Sequence, residues 1–252
     1  MTLTWSMVLI TVTGVFLGSL MDAIAGGGGI ISVSTYLLAG LPMHMTLGTN
    51  KLSACLGGLV SAGRYIKNGY VNWRLAVPAI FLALGGSVLG TLLQLQVRER
   101  YLQYLLLVIL PVVAVVVLRQ RQLPEEPREM DPRRQLAVVL AAAFVLGMYD
   151  GFYGPGAGTF LLLSFTRWAG MDVRTASGNV KVVNLSSNIG SVLTAIFHGQ
   201  VFWPLGLLAA CAAVAGHYVG AGLAIRNGSR IIRPVVLLAL GLLAAKVLAG
   251  LL

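Results

Sequence analysis

The chain has 252 residues, 57% of them hydrophobic and only 10% charged, with a mean hydropathy of +0.85. Soluble domains carry about 25% charged residues, so a water-soluble globular protein is excluded: apolar surface in this excess must face lipid. The formal charge of +10, from 18 Lys and Arg against 8 Asp and Glu, does not mark a nucleic-acid binder, because the basic residues lie in loops between apolar segments, where they set membrane orientation.

The first apolar run, Trp5 to Ala25, has no basic stretch before it and is long enough to span, so it reads as a first transmembrane helix rather than a cleavable signal. Further apolar segments follow at 28–41, 46–66, 73–97, 101–118, 135–149, 156–166, 175–198, 202–225 and 231–252. Between the fifth and sixth lies the one strongly charged stretch, Arg119 to Arg134, with Pro124, Pro127 and Pro132, the composition of a surface linker. The expected organisation is a first repeat at 1–119, a linker at 120–134 and a second repeat at 135–252.

Internal comparison supports this division. At a shift of 130, Lys51 falls on Lys181, Gly69 on Gly199, Trp73 on Trp203, Gly86 on Gly216 and Gly90 on Gly220. At a shift of 128, Asp22 falls on Asp150, Gly26 on Gly154 and Gly28 on Gly156. Glycines could coincide between any two apolar helices; the paired acids and lysines point to a tandem duplication.

Loop charge bears on orientation. If 28–41 and 156–166 do not change sides, the loop bases divide almost evenly. If they do, one face collects Arg64, Lys67, Arg74, the arginines of 119–134, Arg167, Arg174, Arg226, Arg230 and Arg233, and the other keeps Arg98 and Arg100. Cytoplasmic loops hold the excess of Lys and Arg, so the expectation is an all-α polytopic membrane protein of two inverted repeats. Each has about five helical segments, and the linker is cytoplasmic. At about 1.5 Å per residue the two short segments fall well below a ~30 Å hydrocarbon core, so they are expected to be half-helices that start from glycine-rich breaks.

Those breaks read Asp22-Ala-Ile-Ala-Gly-Gly-Gly-Gly29 and Asp150-Gly-Phe-Tyr-Gly-Pro-Gly-Ala157. Glycine runs weaken a helix, and two explanations stand beside each other: close packing through small residues, or an anion cradle in which exposed N–H groups and a half-helix N-terminus face a ligand. Recurrence in both halves favours the cradle, formed by Gly26, Gly27, Gly28, Gly29, Gly154 and Gly156. Next come Gly48-Thr49-Asn50-Lys51 and Gly178-Asn179-Val180-Lys181, each read as opening a long segment after a polar turn. An intramembrane lysine needs a partner or a wet cavity. It can snorkel, pair with Asp22 or Asp150, or, with Thr49, Asn50 and Asn179, line an anion pocket. Asp22 and Asp150 can neutralise the lysines or take up a coupling proton. Asn184 and Asn188, beyond Lys181, serve as interhelical glue or as ligand contacts; the first half has Ala54 and Gly58 at those places. Cys55 and Cys211 lack metal-ligand spacing, and His44, His198 and His217 are scattered, so neither a metal site nor a cofactor is expected.

Asp22 to Gly29, Gly48-Thr-Asn-Lys-Leu52, Gly69-Tyr-Val-Asn-Trp73 and Gly199-Gln-Val-Phe-Trp203 together resemble the TauE/SafE family of sulfite and organosulfur anion exporters, over nearly the whole chain. Within it the sequence is most similar to a bacterial subgroup with a TNK-type first half and a second half of the form Gly151-Phe-Tyr-Gly-Pro155 followed by Lys181 and Asn184. The resemblance implies a bacterial inner-membrane protein that moves small anions such as sulfite, sulfoacetate or thiosulfate. Its implied partners are lipid and a small anionic substrate, with a coupling proton and a homo-oligomer both compatible, and no nucleic acid. Pro155 departs from the glycine run, removes a backbone donor and makes equal use of the two cradles doubtful. An intramembrane enzyme or a structural membrane protein are the alternatives; no Ser/His pairing of recognisable spacing supports the former.

Overall fold

A computed structural model describes residues 3–102, 104, 105, 108, 109 and 124–227. The expected segments at 101–118, for the most part, and at 231–252, with the start of the linker, lie outside the described residues. Among the described residues all regular structure is helical.

Helix α1, Trp5–Ala25, is capped by Thr4, whose hydroxyl accepts from the Met7 N–H at 3.4 Å. It stops at Gly26, whose φ of 77° closes the Asp22 carbonyl, a left-handed turn that glycine adopts without a Cβ clash. The short α2, Gly29–Leu38, is about 15 Å long, half of a membrane crossing. Helix α3, Met43–Lys67, follows Pro42, and α4, Trp73–Gln96, contains Pro78. Helix α5, Pro132–Phe152, begins three residues earlier than its apolar run, because Asp131 accepts from the Arg134 N–H at 3.0 Å and Pro132 starts the first turn. After a second break with left-handed Gly154 and Gly156 comes α6, Ala157–Leu163, continued by a π-helical turn, Ser164–Trp168. Helices α7, Val173–Phe197, and α8, Trp203–Asn227, complete the described fold.

One expectation is corrected. The Gly48–Lys51 and Gly178–Lys181 motifs do not open their helices but lie inside them, because α3 starts at Met43 and α7 at Val173. Extended Pro42 and the Asp172 carboxylate, which accepts from the N–H groups of Arg174 and Thr175 at 3.0 Å each, are the start signals. With both lysines well inside their helices and 5% exposed, snorkelling does not describe either of them.

Among the described residues five helices, α1, α4, α5, α7 and α8, are long and apolar enough to cross a bilayer, and the protein is a multi-pass membrane protein. Helices α3 and α7 pack together at the centre. Around them α1 packs on α8 and α4 on α5, while α8 also lies on α3 and α4 on α7. Under the repeat, α1 corresponds to α5, α3 to α7 and α4 to α8, so each contact has its counterpart. The peripheral helices present large apolar side chains outward, among them Leu9, Phe81, Val145 and Tyr218, as a lipid-facing surface requires.

The repeated glycines take on meaning in this packing. A Cβ on Gly86 or Gly90 of α4 would strike the carbonyls of Phe144 or Met148 on α5, and one on Gly216 or Gly220 of α8 those of Phe16 or Leu20 on α1. Backbone-to-backbone approach of this kind drives helix association where lipid removes the hydrophobic effect. Gly151 meets the backbone of Ser87 equally closely, whereas Gly85 faces open space. Gly151→Val is therefore expected to destabilise the purified protein by about 1–3 kcal/mol, the usual cost of overpacking, and Gly85→Val to leave the thermal midpoint of the detergent-solubilised protein nearly unchanged.

Candidate functional site

The two glycine breaks meet at the centre of the molecule. The Thr159 N–H donates to the Gly26 carbonyl at 3.2 Å, Gly158 lies so close to Gly26 that a Cβ on either would meet the other's backbone, and Gly29 faces Pro155. Helices α2 and α6 both start from this contact.

Two ion pairs cross between the halves here. Lys51 of α3 pairs with Asp150 of α5, Nζ to Oδ1 2.8 Å, and Lys181 of α7 pairs with Asp22 of α1, Nζ to Oδ2 3.4 Å. Lys181 also donates to the Asp22 backbone carbonyl. Each bridge maps onto the other under the repeat. Of the readings open from the sequence, mutual pairing is the arrangement present, and it joins each lysine to the acid of the opposite half. The third partners differ. Asp150 accepts from the Ser187 hydroxyl; Asp22 has the Gly28 N–H and, at 4.0 Å, His217 Nε2.

Between the pairs is a cavity of about 40 Å³, lined among others by Asp22, Gly26, Gly28, Gly29, Asn50, Lys51, Asp150, Gly154, Asn184 and Asn188. At 10–15 Å³ per water it holds about three waters, far less than the 300–1,000 Å³ of an organic-ligand pocket. Asn188 donates from Nδ2 to the Asn184 carbonyl at 2.9 Å and to Asn184 Oδ1 at 2.8 Å, which fixes Asn184 with its Nδ2 beside Gly158. The two asparagines therefore act on each other and on the second break together.

The other residues singled out from the sequence lie outside the lining. Gly27 abuts Met21 and Thr159. Gly156 forms the left-handed start of α6. The Thr49 hydroxyl accepts from the Phe202 N–H at 3.0 Å, tying α3 to the start of α8. Asn179 donates to the Thr175 carbonyl at 2.8 Å within its own helix. Lys181 is turned toward Asp22. Among the described residues no group of three His, Cys, Asp or Glu side chains converges as metal ligands do.

Sequence reasoning missed Ser19, Ser32, Ser53, Gly158 and His217, all in the lining. The serines give no signal, because hydroxyls are common in membrane helices. His217 did give one: it follows Gly216 as Ser87 follows Gly86, a polar residue at one repeat position in both halves. Its Nδ1 lies 3.1 Å from Ser61 Oγ.

The family model of the sulfite exporter TauE/SafE matches residues 10–247. The chain belongs to the TauE/SafE family. Its relatives within TauE/SafE include a "Probable membrane transporter protein ORF9" of Sinorhizobium sp, 33% identical over 93% of this chain and 89% of the relative. A "Probable membrane transporter protein" of Haemophilus influenzae is 34% identical over 92% and 90%, and "Probable membrane transporter protein YfcA" of Escherichia coli is 32% identical over 92% and 86%. No solved structure matches this TauE/SafE chain.

Breaking a buried ion pair from one side leaves an uncompensated charge, typically at 3–5 kcal/mol, whereas removing both partners is far milder. Lys51→Met and Asp150→Asn are each expected to lower the thermal midpoint clearly, and the double variant to recover most of the loss in a double-mutant cycle read by thermal unfolding in detergent.

Proposed function

We propose that the protein is a secondary transporter that moves small sulfur-containing or carboxylated anions, such as sulfite, sulfoacetate or thiosulfate, out across the bacterial cytoplasmic membrane. Access alternates as two inverted repeats, 1–119 and 135–252, rock against each other, with the basic linker 120–134 on the cytoplasmic side. The crossed pairing of Lys51 with Asp150 and of Lys181 with Asp22 carries this reading.

As the site stands, each ammonium holds a carboxylate. A sulfonate, sulfite or carboxylate offers the same charge and acceptor oxygens, so a substrate anion can replace an aspartate at a lysine while the glycine breaks supply N–H donors and half-helix N-termini. Because the bridges join opposite halves, exchanging a protein carboxylate for a substrate loosens the contact that holds the halves together. Binding and rearrangement thereby share one set of bonds.

An enzymatic alternative would look to the line Ser61–His217–Asp22, which has the composition of a hydrolase triad. Ser61, however, is fully buried, stands outside the cavity lining and donates its proton to the Gly58 carbonyl at 3.1 Å. It orients the imidazole; it has no substrate to attack.

The test is a binding and flux screen of sulfite, thiosulfate, sulfoacetate and dicarboxylates on protein reconstituted in vesicles. Lys51→Met with Asp150→Asn, which removes the charge without stranding its partner, should weaken binding of the best substrate by tenfold or more, about 1.4 kcal/mol, with the fold intact. Lys181→Met should weaken it similarly. Wild-type affinity in both would overturn the anion site.

A further inference from the structure

The two acid sites are equivalent by the repeat but not in chemistry, and the difference is His217. It is 2% exposed within α8, where the corresponding residue of α4 is Ser87. The residue beside its ring, Gly57 of α3, is where the other half has Ser187, the hydroxyl that completes Asp150. One half thus satisfies its aspartate with a hydroxyl that stays neutral, and the other sets an imidazole against it.

Ser61 Oγ lies 3.1 Å from both the Gly58 carbonyl and His217 Nδ1, which suits the tautomer in which the hydroxyl donates to the carbonyl and accepts from Nδ1–H. In the neutral ring this leaves the lone pair on Nε2, directed at Asp22 Oδ2 from 4.0 Å. Two acceptors face each other with room for one proton.

Charge balance gives that proton a function. Lys51, Lys181, Asp22 and Asp150 sum to zero, and a net charge in a buried low-dielectric site is costly. Arrival of an anion unbalances the site by its own charge. We propose that His217 Nε2 takes up the proton that accompanies the anion, so that coupling resides in the α1–α8 half of the molecule while Asp150, with Lys51 and Ser187, remains a fixed ion pair. The inference rests on the transport reading above. The groups facing the imidazole are Asp22 from α1, Gly57 and Ser61 from α3 and, beyond Asp22, Lys181 from α7; Lys51 and Asp150 open on the same cavity. Arg64 of α3 is engaged elsewhere, over the ring and carbonyl of Tyr218.

The test uses full-length protein in vesicles that contain a trapped pH dye, with labelled thiosulfate and methanesulfonate as probes because their charge is fixed near neutral pH. Anion-for-anion exchange, which needs no net proton movement, is read beside net flux. Wild type should move protons with the anion. His217→Gln, and His217→Ser, which copies Ser87 and serves should the first variant fold poorly, should lower net flux at least tenfold more than exchange and flatten its pH dependence. Proton movement per anion equal to wild type in a folded variant overturns the proposal. Net anion flux in wild type without any dye response overturns coupling and leaves the transport reading standing, whereas neither exchange nor net flux of either probe in wild type removes both.

Discussion

The exchange of ion-pair partners between the halves is the constraint on which the rest of the site depends. Were Lys51 paired within its own repeat, each half could bury its charges alone and the two could separate freely. Instead Lys51 finds its acid on α5 and Lys181 on α1, so neither half is electrostatically complete without the other. The cost of stranding a buried charge then fixes the register between the repeats more firmly than apolar packing in lipid, where helix association has little hydrophobic drive.

The glycines serve the same end. Those on α4, α5 and α8 let backbones approach until carbonyls nearly touch them, and those in the breaks let the starts of α2 and α6 meet at the centre. Packing and anion-cradle readings of a glycine run are therefore not alternatives by position. Gly26 and Gly158 are buried against each other by contact, yet both also border the cavity. Close approach of the breaks is what brings the half-helix N-termini to one point.

Much of the fold was legible because lipid imposes it: where the described residues cover them, apolar runs long enough to cross appear as helices within two or three residues of their ends. The short segments were legible as half-helices from length alone. What misled was the Gly-Thr-Asn-Lys motif, whose residues look like breakers, although Pro42 and Asp172 had already started the helices. At the site, charges in apolar segments identified Asp22, Lys51, Asp150 and Lys181 without coordinates. Which lysine meets which acid was not legible, since a duplication predicts pairing within or across halves equally well. Thr49 and Asn179 shared the motif but not the cavity: each stands two residues before the lysine of its own helix, Lys51 or Lys181, and so on the opposite helix face. His217 went unrecognised because a lone histidine has no spacing pattern; only comparison of its place in the repeat distinguishes it.

That comparison bears on why a duplicated protein departs from its own symmetry. Two identical halves related by exchange give two end states of equal energy. Here the second break has Pro155, whose carbonyl accepts from the Tyr149 hydroxyl at 2.6 Å, and a shorter helix continued by a π-turn. Asn184 and Asn188 replace Ala54 and Gly58, and Ser187 and His217 stand where Gly57 and Ser87 stand in the other half. Ser187 reaches Asp150 while His217 faces Asp22, so the two acid sites differ in their third partner. The preserved elements are those that hold the halves together, the glycines and the lysine–aspartate pairs; of the divergent ones Asn184, Asn188 and His217 line the cavity. On the alternating-access reading proposed above, such differences would give one arrangement a preference, because any polar group satisfied in one arrangement must find new partners in the other.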